Sequence, residues 1–91
     1  MLETEVRVTN ALGLHARAAA RLVRLATKFS SSIKLLREDS GVEADAKSIL
    51  SLLYIAAGQG VNLKLSVDGE DELDATEQIA SMFNNGFGED K

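Results

Sequence analysis

Residues 61–68, VNLKLSVD, alternate without a break: Val61, Leu63, Leu65 and Val67 fall on one side, and Asn62, Lys64, Ser66 and Asp68 on the other. Successive side chains of an extended chain point to opposite faces, so the pattern predicts a strand with one buried face. The same period returns at the start of the chain, where Leu2, Thr4, Val6 and Val8 alternate with Glu3, Glu5 and Arg7. SSIKLLR (31–37) and VEADA (42–46) flank EDSG (38–41), which reads as two strands joined by a hairpin turn.

Between these segments the apolar spacing changes to three and four residues. A helix is expected from about Ala16 to Phe29, with Ala19, Ala20, Val23, Ala26 and Phe29 on its inner face. SILSLLYIAA (48–57) reads as a short helix capped by Ser48 and ended by the Gly58–Gly60 segment. In GEDELDATEQIASMFNNG (69–86), acids occupy the first turn and Asn85-Gly86 forms the stop, both favouring a final helix. The order is β-α-β-β-α-β-α within one domain, residues 1–91. One apolar face per strand and one stripe per helix are buried most simply by a sheet with every helix on the same side.

Composition removes several classes of function. The chain has no cysteine, hence no disulfide framework and no thiolate metal site. No apolar run approaches the roughly 18 residues of a membrane helix, and the first residues lack a signal-peptide pattern, so a cytoplasmic protein is expected. A net charge of −4 with one Tyr, three Phe and no Trp argues against a nucleic-acid binder. The charge is nonetheless lopsided: five of the ten basic residues precede residue 29, while Asp68–Glu77 holds six carboxylates.

The only histidine, His15, stands where the first helix should begin. Taken singly it fits a surface turn or cap, and Arg17, Arg21, Arg24 and Lys28, at spacings of four, three and four, fit a solvated basic face. Together they suggest more. The first-turn N–H groups of Ala16, Arg17 and Ala18 lack intrahelical acceptors, and the helix dipole makes that end attractive to anions. Arg17 adds a planar guanidinium suited to phosphate oxygens. A cation is disfavoured at a helix start, which leaves an imidazole there neutral, with a lone pair able to accept a phosphoryl group or move a proton. No Walker-type loop, HExxH or metal-ligand set occurs, and no acid in the local sequence is placed to orient His15. A lone nucleophile suits a carrier better than an enzyme with its own turnover, and no cofactor or metal is expected.

GLHARAAARLV (13–23), AKSILSLLYIAAGQG (46–60) and LSVDGEDELDATEQI (65–79) resemble, at matching spacings, three segments of the HPr family. These are the histidine-containing phosphocarriers of the bacterial phosphoenolpyruvate:sugar phosphotransferase system. The resemblance implies an α+β open-faced sandwich, a four-stranded antiparallel sheet covered on one face by three helices. It implies phosphorylation of His15 on Nδ1 by enzyme I, stabilisation by Arg17, and onward transfer to a histidine of a IIA protein or domain. The chain departs from the family at Ala18, where proline is usual; alanine keeps the helix and leaves one more N–H donor. The EDSG turn is also longer than the family's usual hairpin turn.

Ser48 has two compatible readings: a helix cap, and the counterpart of the serine that HPr kinase/phosphorylase modifies in many bacteria. The helix behind it is more apolar than one face can bury. If Ile49, Leu52 and Ile55 face the sheet, Leu50 and Leu53 stay near the surface, either as part of a well-covered short helix or as a docking patch. The resemblance favours docking of enzyme I and IIA partners, with Arg21, Arg24 and Lys47 around the patch. A monomer without nucleic-acid or membrane partners is expected. The alternative is a regulatory module acting through Ser48 phosphorylation and docking, with His15 dispensable.

Overall fold

The computed structural model describes Met1–Glu89. In chain order it contains β1 (Leu2–Arg7), α1 (Ala16–Ala26), β2 (Ser32–Arg37), β3 (Val42–Asp45), α2 (Ile49–Ile55), β4 (Asn62–Asp68) and α3 (Glu72–Asn84), then a 3-10 turn at Gly86–Gly88. The strands form one antiparallel sheet in the order β1-β4-β2-β3. The strand with the most regular alternation, β4, is therefore internal, pairing Leu65 with Thr4 on one side and with Leu35 on the other.

Leu63, Leu65 and Val67 are buried together with Val6, Val8, Ile33, Leu35 and Ala44. The helices bring Ala18, Ala19, Leu22 and Ala26 from α1, Leu52 and Ile55 from α2, and Ala75, Ile79 and Phe83 from α3 to the same core. Burying each large aliphatic or aromatic side chain contributes about 1.5–3 kcal/mol, so this layer contact is what holds the fold. The opposite face of the sheet is polar. Its ion pairs, Lys64–Glu3 at 3.6 Å and Lys34–Glu43 at 3.7 Å, are solvated and each contribute about 1 kcal/mol or less.

Several boundaries and faces differ from expectation. Helix α1 ends at Ala26, three residues before Phe29, because the Thr27 N–H reaches both Val23 O and Leu25 O and the next amides close tighter turns. Phe29 is still buried. The inner face of α1 uses Ala18 and Leu22, while Ala20 and Val23 are only half-buried, a rotation of the stripe by about one residue. Helix α2 stops before the Gly58–Gly60 segment: Ala56 adopts φ 54°, ψ 39°, and the Arg37 guanidinium donates to Ala56 O at 2.8 Å and Ile55 O at 3.3 Å. Ile49, which opens α2, is 41% exposed and does not face the sheet.

Asp71, at the start of α3, ties that helix to the chain leaving α1. Its carboxylate accepts from the amides of Ser30 (2.8 Å) and Ser31 (3.0 Å) and from the Ser31 hydroxyl. The Ser31 hydroxyl, followed by the Ser30 amide, holds this carboxyl below the ordinary aspartate value.

Candidate functional site

The turn that delivers His15 is built by Asn10 and Gly13. The Gly13 amide bonds Asn10 O at 3.1 Å, and the buried Asn10 side chain donates back to Gly13 O at 2.8 Å. Gly13 has φ +69°, and a Cβ there would lie 2.7 Å from Ala57 O and 2.8 Å from Gly58 Cα. Only glycine lets this turn lie against the chain leaving α2, where the Leu14 N–H bonds Ala57 O at 2.8 Å. The His15 turn and the end of α2 thus form one ridge.

His15 is the N-cap of α1, with φ −86° and ψ −178°. Its carbonyl takes the first helical bond, from Ala19 N at 2.8 Å, and its Nδ1 accepts from the Arg17 amide at 3.2 Å. Among the described residues the amides of Ala16 and Ala18 meet no acceptor. The helix mouth therefore carries the Arg17 N–H, weakly engaged by a ring 27% exposed, and two further N–H groups without an acceptor, the Ala18 one belonging to a buried residue.

The other ring nitrogen is engaged by a residue that the local sequence does not point to. Nε2 lies 2.6 Å from Oε2 of Glu89, whose Oε1 accepts from Asn10 Nδ2 at 2.8 Å. The Asn10 bond is the main reason the Glu89 carboxyl lies below the usual glutamate range, with His15 adding to it. An ionised carboxylate only accepts, and a backbone N–H only donates, so the two partners assign the ring as neutral, protonated on Nε2, with its lone pair on Nδ1.

Glu89 arrives through the turn after α3. There Phe87 is left-handed at φ 57°, ψ 24°, buried, with its ring edge-on to Phe83 at 4.9 Å between centroids. Arg21 Nη1 donates to Phe87 O at 2.6 Å. Thr9 Oγ1 donates to Phe83 O at 3.0 Å, fastening the end of α3 beside the His15 turn.

The basic residues thus separate by situation. Arg17, Arg24 and Lys28 are exposed, whereas Arg21 holds the C-terminal turn and Lys47 Nζ donates to Phe29 O at 2.8 Å. Ser48 caps α2, its Oγ accepting from Ser51 N at 3.2 Å. On the outer side of α2, Leu50 is 80% and Leu53 37% exposed, joined by Ile49 and Tyr54. Glu89 and Asn10 escaped sequence reasoning. The acid lies 74 residues from the histidine, and Asn10 carried only a turn signal. No helix is long and apolar enough to cross a membrane, and no cluster of three or more potential metal ligands occurs among the described residues.

Comparison with known proteins gives a consistent match. The family described as PTS HPr component phosphorylation site matches residues 2–85. The phosphocarrier protein HPr of Xylella fastidiosa (strain Temecula1) is 47% identical over 90 residues, covering 99% of each chain. The phosphocarrier protein NPr of Escherichia coli (strain K12) is 39% identical over 85 residues, 93% of each. Among solved structures, HPr-C-His from Thermoanaerobacter tengcongensis superposes with a TM-score of 0.93 at 36% identity, covering 100% of both chains.

Proposed function

Because the chain belongs to the HPr family of phosphotransferase-system components, we propose that it is a single-domain cytoplasmic phosphoryl carrier. Its acceptor atom is Nδ1 of His15, loaded by enzyme I and discharged to a histidine of a IIA protein or domain. The observation that carries this reading is the state of the ring: Nε2 is occupied by Glu89, and Nδ1 accepts only the long bond from the Arg17 amide at the mouth of α1.

The chemistry follows from that arrangement. Attack by Nδ1 gives up the long bond from the Arg17 amide, a loss of about 0.5–1.5 kcal/mol. The phosphoryl oxygens then accept from the amides of Ala16, Arg17 and Ala18, and these charge-assisted bonds more than offset the one lost. The exposed Arg17 guanidinium swings to the same oxygens, while the helix dipole favours the added charge. Alanine at position 18 contributes a donor that proline lacks. The chain supplies a covalent resting place and no second catalytic group, so turnover belongs to its partners.

Leu50 and Leu53 with Arg24 form the proposed docking surface, beside the ridge that carries His15. An apolar patch rimmed by exposed cations suits fast, charge-steered association with acidic partners and rapid release. Arg21 and Lys47 border that surface, but their donors are partly spent on Phe87 O and Phe29 O. Ser48 is the proposed position for modification by HPr kinase/phosphorylase. A phosphate there would place two negative charges next to Leu50, which turns docking down. The test is incubation with phosphoenolpyruvate, magnesium and enzyme I, read by intact mass and histidine NMR. One acid-labile phosphoryl group on Nδ1, absent from His15→Ala, is expected. Full acceptance by His15→Ala refutes the assignment, and no acceptance by the native chain points to the regulatory module acting through Ser48.

A further inference from the structure

The carboxylate on His15 is held too firmly to be an incidental contact. Glu89 is fixed from two sides, by the Asn10 amide at 2.8 Å and by a left-handed turn whose carbonyl is bonded to Arg21 at 2.6 Å. Asn10 is itself 1% exposed and directs its amide nitrogen to Gly13 O and Glu89, while its Oδ1 is left buried without a partner among the described residues. A buried unsatisfied oxygen is destabilising, which marks this orientation of Asn10 as one kept for what its nitrogen holds.

We propose that Glu89 is a positioning residue for His15: its carboxylate fixes the ring with Nε2–H turned away and Nδ1 presented, and it balances the charge the ring gains on phosphorylation. The second half rests on the carrier reading. When the Nδ1 lone pair forms the bond to phosphorus, the donor's bond to phosphorus breaks and its electron pair leaves with the donor. The proton on Nε2 stays, so the ring becomes cationic opposite a carboxylate 2.6 Å away. When the group passes on, the electron pair of the N–P bond returns to Nδ1 and the ring is neutral again.

The test uses the full chain as native protein, Glu89→Gln and Glu89→Ala. Gln keeps the size and one oxygen that can accept from Nε2–H, but it lacks the charge and turns an NH2 toward the Asn10 amide, whereas Ala has neither charge nor acceptor. In the unphosphorylated protein, an exchange-protected Nε2–H resonance of His15 in nitrogen-coupled NMR is expected for native and Gln chains and lost for Ala. An equally protected proton in Ala overturns the orienting role, whether or not the protein carries phosphate. Acceptance from phosphorylated enzyme I should then slow about tenfold in Gln, the scale of one charge-assisted hydrogen bond, and further in Ala. A Gln variant that accepts as fast as native overturns the charge role and leaves Glu89 a purely structural tie. If no chain accepts phosphate, the carrier reading fails, and the proton resonance still decides whether Glu89 orients the ring.

Discussion

Two glycines separate backbone strain from crowding at the ridge that carries His15. Gly13 has φ +69° and Gly41 φ +72°, nearly the same left-handed backbone, but a Cβ at Gly41 meets nothing within 4 Å while one at Gly13 falls 2.7 Å from Ala57 O. Placing alanine in the left-handed region costs about 1–2 kcal/mol, offset by about 0.4–1 kcal/mol from a stiffer unfolded chain. Gly41→Ala should therefore destabilise by about 1 kcal/mol. Gly13→Ala adds the clash, at about 1–3 kcal/mol for forced displacement, and weakens the Leu14–Ala57 bond, worth about 0.5–1.5 kcal/mol. The sum is about 3–5 kcal/mol. For a domain of this size each kcal/mol lowers the melting temperature by about 4–8 °C, so Gly41→Ala should melt several degrees below native and Gly13→Ala at least about 12 °C below. Thermal unfolding followed by circular dichroism measures both. Equal losses in the two variants would refute the argument, because they would mean that the contact with Ala57 exerts no constraint on the His15 turn.

Three other perturbations test separate parts of the structure. Leu22→Ala, at the centre of the α1 face, should lower stability by about 2–5 kcal/mol, seen as a lower urea midpoint with unchanged slope. Leu50→Ala should change stability by less than about 0.5 kcal/mol yet raise the KM for phosphorylation by enzyme I with kcat preserved; a loss of stability instead would place Leu50 in the core. Asp71 titrates below its ordinary value of 3.8, so its contribution is complete above that value and is lost as pH falls through the lower folded value. Native protein should exceed Asp71→Asn in urea midpoint near neutrality, and the two curves should converge in acid; a constant gap would show that the carboxylate charge is irrelevant.

How far the sequence disclosed this arrangement depended on the range of the interactions involved. Strand β4 was legible because its alternation is imposed by burial on a single face, and the EDSG turn because its four residues join two such patterns directly. His15 and the mouth of α1 were legible because capping is decided within one helical turn. The end of α1 was not, since Phe29 keeps the helical spacing and is buried from a non-helical position. The end of α2 depends on Arg37, a residue of another strand, so the run through Ala56 and Ala57 looked helical. Ile49 has the composition of a core residue but sits on the opening turn of a two-turn helix that leaves it uncovered. Glu89 reaches His15 only through the left-handed Phe87 and the Arg21 bond, neither of which has a local periodic signature. Partners remote in sequence also tether Arg21, where helical spacing suggested free surface charge, and Lys47, expected from the family resemblance beside the docking patch.

The pairing of β1 with β4 also sets the order in which the sheet can form. Strands β2 and β3 meet across the four residues 38–41, whereas β1 pairs with no strand but β4, and residues 8–61 lie between them. Closing the longer loop costs about 2 kcal/mol more conformational entropy. The β2–β3 hairpin should therefore belong to the folding nucleus, with β1 docking late on the opposite edge of the sheet. In that case Val6→Ala mainly accelerates unfolding, while Leu35→Ala also slows folding, and the two arms of a denaturant chevron would separate these effects.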